Sequence, residues 1–192
     1  MSVSLSKGQT VSLTKSTGGT LTQVRMGLGW DARKVRGFFG GSKEQAIDLD
    51  ASCLLFDAAG RLADQVWFSQ LRSQDGSVQH TGDNRTGKGD GDDESILVDL
   101  TRVPATVKTL VFVVNSYSGE SFSQIENASC RLVDSTNEQE IARYDLTGSG
   151  PHTAQIMAKV TRDGAGWTMT ALGVKTEGRT IKHMLPAAVE VL

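Results

Sequence analysis

The sequence predicts an all-β fold, a two-sheet β-sandwich with a few short helices. Three observations carry that reading. Apolar and polar residues alternate along most of the chain, the period-two mark of half-buried strands. No stretch shows the 3.6-residue period of a long amphipathic helix. And Asp50-Ala-Ser-Cys-Leu-Leu-Phe-Asp57 returns as Asn127-Ala-Ser-Cys-Arg-Leu-Val-Asp134, each copy following an apolar strand and a polar loop and preceding a turn. The echo points to a duplicated strand-turn-strand unit, which fits two packed sheets. One sandwich domain over residues 1–192 is expected, with an internal repeat of roughly 1–100 and 101–192.

Taken in order, Val3 and Leu5 alternate with serines, and Val11 and Leu13 do the same beyond Gly8. Gly18-Gly19 signals a turn, after which Leu21, Val24, Met26 and Leu28 lead to Gly29-Trp30-Asp31. Residues 31–42, rich in Gly, Lys and Arg, read as a loop that Phe38-Phe39 could anchor. Residues 47–56 form an apolar strand, 57–60 a turn, 62–71 a return strand and 96–100 another short strand. Pro104 suits the first position of a helical turn over 104–108, because its φ is already set. Residues 110–114 are continuously apolar and mostly β-branched, as in a central strand buried on both faces. Ile156, Ala158 and Val160 face Trp167, Met169 and Ala171 across a hairpin at 163–166. The tail from 181 to 192 reads either as a short helix before Pro186 or as a last strand.

Composition excludes several classes. The 192 residues carry 20 Lys+Arg against 22 Asp+Glu, a net charge of −2, which argues against a generally basic nucleic-acid binder. The longest clean apolar run, 110–114, is far short of the ~20 residues of a spanning helix. Residues 1–7 hold no apolar stretch of secretory type. Cys53 and Cys130 are too few for a disulfide scaffold and read as two buried thiols.

Residues 82–94 stand apart. Asp83, Asp90, Asp92, Asp93 and Glu94 crowd onto a glycine-rich loop with only Arg85 and Lys88 against them, so the loop is −3 and the rest of the chain +1. Crowded like charges repel, and glycines make order entropically costly. A hard divalent cation relieves both. Gly87, Gly89 and Gly91 let backbone carbonyls turn inward, and Asn84 and Thr86 add neutral oxygens. An oxygen-only set argues for calcium, then magnesium, over zinc or copper. Asp83 and Glu94 have EF-hand spacing, but Lys88 stands where that loop requires glycine. The loop also fits G-x-x-x-x-G-K, but Gly89 stands where a P-loop requires Ser or Thr, and the acids that follow would repel phosphate. A solvated loop without a ligand is the plain alternative. Asp31, at a strand end, and Asp48 and Asp50, which share one face of a strand, are candidates to complete a site.

Gly27-Leu-Gly-Trp-Asp31, Asp48-Leu-Asp50 and the acidic stretch 82–94 resemble the TerD family of bacterial tellurium-resistance and stress-response proteins, as do 117–122, 127–134 and Leu5-Ser-Lys-Gly8. The resemblance covers nearly the whole chain. It implies a cytoplasmic, calcium-binding β-sandwich holding one or two Ca2+ ions. The ligands it implies are Asp83, Asn84, Asp92, Asp93 and Glu94, then Asp31, Asp48 and Asp50, with the backbone carbonyls of Gly87 and Gly89 as further candidates. Asp90 falls at a variable position of the motif.

The leading expectation is a non-catalytic calcium-binding module in which the ion orders the acidic loop and presents a surface to protein partners, other stress and tellurite-resistance proteins among them. No nucleic-acid partner is expected. A calcium-dependent membrane binder of the C2 type is an alternative, using Arg33, Lys34, Arg36, Phe38 and Phe39. An oxyanion-processing enzyme is a weaker one, because His80, His152 and His183 are scattered and neither cysteine belongs to a C-x-x-C pair.

Overall fold

The computed structural model describes residues 3–4, 8–13, 19–31, 33–36, 42–87, 91–147, 149–164 and 166–192, with backbone alone for 3–4, 33–36 and 42–45. Numbered in chain order, its alternating segments become strands of two six-stranded sheets. The first sheet lines up β1 (Val3–Ser4), β12 (Gln139–Asp145), β11 (Glu126–Asp134), β3 (Gln23–Asp31), β9 (Glu94–Asp99) and β8 (Val78–His80) in that spatial order. The second lines up β2 (Thr10–Ser12), β14 (Gly166–Thr176), β13 (Ala154–Asp163), β10 (Val107–Ser116), β6 (Leu49–Asp57) and β7 (Leu62–Val66). All pairings within them are antiparallel except that of β1 with β12.

The inward faces make the core. Met26, Leu28, Ile96 and Leu132 of the first sheet pack with Cys53, Leu55, Leu110, Phe112 and Met169 of the second in one buried cluster. β14 alternates cleanly between buried and half-buried positions, as a strand with one covered face must. β6 and β10 do not alternate, because both their faces are covered. Leu54, Phe56, Val111 and Val113 point away from the sandwich and pack beneath helix α1 (Ile181–Glu190), against Ile181, Met184 and Ala188. The continuous apolar run at 110–114 is thus a doubly buried strand, as the sequence predicts. The echoed octapeptides fall on β6 and β11, one in each sheet. Both cysteines are free and buried.

The structure corrects four expectations. The presumed loop at 31–42 holds a ribbon, β4 (Arg33–Arg36) paired antiparallel with β5 (Ser42–Gln45); the anchor at Phe38-Phe39 lies outside the described residues. The return strand stops at Val66 rather than Leu71. The Asp64 carboxylate accepts from the Gln65 and Gln74 backbone N–H groups and from Gln70 Nε2, which draws the chain into a turn closed by Trp67 and Gln70. Pro104 opens no helix. Val107 N–H donates to its carbonyl in a single turn, and β10 begins there because Val107 already pairs with Asp57 of β6. The tail is a helix that continues through Pro186. Proline cannot donate to Lys182, and the burial of Ile181, Met184 and Ala188 offsets that loss. β8 was not anticipated; at three residues it is too short to show a period.

Candidate metal centre

The acidic loop connects β8 to β9 at one end of the sandwich, and its own acids fasten it there. Glu94, the first residue of β9, is completely buried. Its Oε2 accepts from Ala51 N–H of β6 at 2.8 Å and its Oε1 from Asn84 N–H at 3.1 Å. One carboxylate therefore ties the first sheet, the second sheet and the loop together. His80 Nε2 stands 3.3 Å from the same Oε2, off the line of a hydrogen bond, while His80 Nδ1 accepts from Gly82 N–H. Asp93 Oδ2 accepts from Trp30 N–H at 3.0 Å, and its Oδ1 from Asn84 Nδ2 at 2.7 Å. Asn84 Oδ1 in turn accepts from Thr86, both N–H and hydroxyl. Asp92 turns the other way, taking both Nε (2.6 Å) and Nη2 (3.0 Å) of Arg131, with Arg25 Nη1 at 3.6 Å.

Two glycines of β3 make this seat possible. A Cβ on Gly27 would stand 2.2 Å from the Asp92 carboxylate, and one on Gly29 would stand 2.5 Å from the Gly91 carbonyl oxygen. Their side of the strand is bare backbone, so residues 91–93 can lie directly on it. On the far side of the loop Gly87 is buried against the Trp30 indole, whose Nε1–H donates to the Ile47 carbonyl.

Asp48, Asp50 and Asp83 then converge. One carboxylate oxygen from each lies within 4.8 Å of the other two, around an open cleft of ≈ 220 Å³ that Phe68, Tyr117 and Arg85 also line. Asp50 is 3% exposed; it faces Asn115 of β10 in register, and Asn115 Nδ2 donates to its Oδ2 at 2.8 Å and to the Arg179 carbonyl at 2.9 Å. Asp48 is held by its backbone, N–H to Ser118 Oγ and carbonyl from Tyr117 N–H. Its Oδ1 is buried without a hydrogen-bond partner among the described residues. The nearest cation is Arg85 Nε stands 3.9 Å from Asp48 Oδ2 on a largely exposed side chain.

This is an uncomfortable place for bare carboxylates. Burial pushes the Asp50 carboxyl up to about 8, with Glu94, Asp48 and Asp83 adding to the rise and the Asn115 bond opposing it. Asp48 is raised by burial first, then by Asp83, with Glu94 and Glu120 contributing and Arg85 opposing. Asp93 is raised by burial and by Asp31, Glu94 and Asp92. A divalent cation suits such a set. The donors are all oxygens, and opposite oxygens on a calcium ion stand about 4.6–5.2 Å apart, in keeping with the convergence of the three carboxylates. The orphaned Asp48 Oδ1 is the kind of acceptor that an ion satisfies.

The residues picked from sequence thus divide by role. Asp48, Asp50 and Asp83 come together. Asp93, Glu94 and Asn84 spend their oxygens on the loop itself and on fastening it to β3 and β6. Asp92 is paired with arginines instead. Asp31 ends β3, exposed, and accepts from Asn127 Nδ2 at 2.6 Å; its charge adds to the rise of Asp93. Gly87 is a packing position against Trp30, and Gly89 and Asp90 lie outside the described residues. Sequence reasoning passed over Asn115, Glu120, Arg25 and Arg131. Only the alternating glycines of Gly27-Leu-Gly29 carried a local signal, a strand face left bare for something to lie on.

The TerD-domain family model matches residues 1–185 of the chain. The chain is 50% identical over 184 residues to tellurium resistance protein TerZ of Serratia marcescens, covering 95% of this chain and 94% of that one. It is 40% identical over 197 residues to stress response protein SCP2 of Bacillus subtilis, covering 96% and 98%. A crystal structure of a telluride resistance protein (TerD) homologue from Streptomyces coelicolor has the same fold, with a TM-score of 0.71 at 20% identity over 86% of this chain and 95% of that one.

Proposed function

This chain belongs to the TerD family, and on that premise we propose that it is a calcium-binding, non-catalytic module of a tellurium-resistance or stress response. The carrying observation is the convergence of Asp48, Asp50 and Asp83 around the unpartnered Asp48 Oδ1. Those three carboxylates would hold the ion. Bound there, calcium supplies positive charge that offsets the burial of Asp50 and the mutual repulsion of the three acids. Because Asp83 belongs to the loop, Asp50 belongs to β6 of the second sheet and Asp48 just precedes that strand, one ion joins loop and sheet. The ordered loop, with Tyr117 and Phe68 beside it, becomes the surface shown to partners, other stress and tellurite-resistance proteins.

The non-catalytic reading has its own support. Burial raises both thiols, Cys53 strongly and Cys130 to about 12, so neither offers a thiolate at neutral pH. His80 is enclosed behind Glu94, away from the cleft surface. No helix among the described residues is long and apolar enough to cross a membrane; a cytoplasmic location is part of the same proposal and rests on the family.

A thermal melt of the chelated protein with added calcium or magnesium tests the proposal. Ion at a hundred times its dissociation constant stabilises a fold by about 2.7 kcal/mol, which is a rise of about 5–10 °C at this size. The rise should be calcium-selective and absent in Asp83→Asn, an exposed residue whose loss leaves the core alone. A calcium response that survives in Asp83→Asn and Asp48→Asn alike would overturn the assignment.

A further inference from the structure

The β8–β9 hairpin carries opposite charge at its two ends. The acidic loop joins the strands at one end. At the other, the chain entering β8 and the chain leaving β9 bring Arg72 and Arg102 together, about 17 Å along the strand from Glu94. Both guanidinium groups converge on Gly76. The point that a Cβ there would occupy is 3.2 Å from Arg72 Nε and 3.4 Å from Arg102 Nη2, so the two cations are no more than about twice 3.5 Å apart.

Like charges brought that close favour a counter-charge. Neither arginine is in an ion pair among the described residues, and Arg102 makes one long bond, 3.3 Å, to the Asp75 carbonyl. Asp75 and Asp99 stand nearby and keep their charge, but each directs one oxygen to its own turn and neither is in ion-pair contact with the arginines. Asp75 Oδ1 accepts from Ser77 N–H, and Asp99 Oδ1 accepts from the Thr101 N–H and hydroxyl. The two arginines line a cleft of ≈ 300 Å³ with Gly76, Ser77, Asp99 and Ser135. In its lining the Ser77 and Ser135 hydroxyls are buried and without hydrogen-bond partners among the described residues.

We propose that this cleft binds a small phosphate-type oxyanion, free or as the terminal group of a small ester, between the guanidinium groups of Arg72 and Arg102. Two planar forks match the oxygens of one doubly charged oxyanion, each offering paired N–H donors. Two cations are too few for a polyanion, and the rest of the lining is neutral but for Asp99. The hydroxyls of Ser77 and Ser135 stand ready as further donors once the arginines turn onto the ligand. The site is separate from the acidic cleft and does not depend on it.

The test is isothermal titration and thermal shift on the full chain in excess chelator, at fixed pH and ionic strength. The probes are inorganic phosphate, glycerol 3-phosphate and tellurite, with chloride as reference. Saturable binding by at least one probe is expected, weakened tenfold or more in Arg72→Gln/Arg102→Gln and unchanged in Asp83→Asn. Tighter binding of glycerol 3-phosphate identifies a small ester as the ligand class; tighter binding of phosphate or tellurite identifies a free oxyanion. Arg72→Lys, which keeps the charge and loses the fork, should fall between the parent and the double variant. Because both arginines are exposed, their replacement leaves the melting curve of the unliganded protein close to that of the parent. A response no larger than that of chloride, one that survives the double substitution, or one that requires calcium would overturn the proposal.

Discussion

Asp50 is where burial and charge conflict most sharply. Its carboxyl holds a proton up to about 8 in the metal-free fold, whereas in the unfolded chain it releases that proton near 3.9. Between those values the folded state binds more protons than the unfolded state, so metal-free stability falls as pH rises from about 4 to 8. Asp48 and Asp93, raised as well, act in the same direction. Denaturant melts of the chelated protein across that range should show the decline, and Asp50→Asn should flatten it. Calcium inverts the relation, because the ion must displace the Asp50 proton. Affinity should rise by up to about tenfold per pH unit between 6 and 8. Titrations in buffers of different ionisation enthalpy should register close to one proton released near pH 6.5, and an affinity flat over this range would remove Asp50 from the ligand set.

At the scale of elements, the loop depends on what β3 lacks. Gly27→Ala would put a methyl group into the Asp92 carboxylate, which Arg131 pins with two hydrogen bonds and cannot release freely. The expected cost is about 1–3 kcal/mol, the range for overpacking a tight site, read as a lower melting temperature. Gly29→Ala meets the Gly91 backbone oxygen instead, so it should also weaken calcium binding by displacing the loop. Helix α1 poses a different problem, since Pro186 interrupts its hydrogen bonds and no side chain caps its first turn. Its stability therefore rests on its buried face. Met184→Ala, at a fully buried position over β6 and β10, should cost about 2–5 kcal/mol in chemical denaturation.

At the scale of the whole molecule, Glu94 joins the two sheets at the end where the acidic loop sits. Its carboxylate accepts backbone N–H groups from β6 and from the loop with separate oxygens. Glu94→Gln keeps the shape but presents an NH2 group to one of those donors, leaving a buried clash of donors worth about 1–3 kcal/mol. The loss should appear as lowered global stability together with faster amide exchange at Ala51 and Asn84. The slowest-exchanging amides should belong to β6 and β10, which are covered on one side by the other sheet and on the other by α1.

Much of this was legible along the chain. The alternation of Trp167, Met169 and Ala171 gave β14, and the unbroken run at 110–114 gave a strand covered on both faces, because side-chain period reports directly on how many faces a strand buries. The clustering of Asp83, Asp92, Asp93 and Glu94 marked the loop, since charge density is a property of sequence. Partnership is not. Which acid meets an arginine, as Asp92 does, which accepts backbone N–H groups, as Glu94 does, and which stays open, as Asp48 does, depends on strands β3, β6, β10 and β11 arriving from distant parts of the chain. The same holds for Arg72 and Arg102, unremarkable in sequence and adjacent only because β8 and β9 pair antiparallel. Sequence by itself determined the fold class, most of the longer strands and the chemistry available, through local periodicity and composition; tertiary structure alone decided which groups share a site, because contacts between strands are set by register and not by distance along the chain.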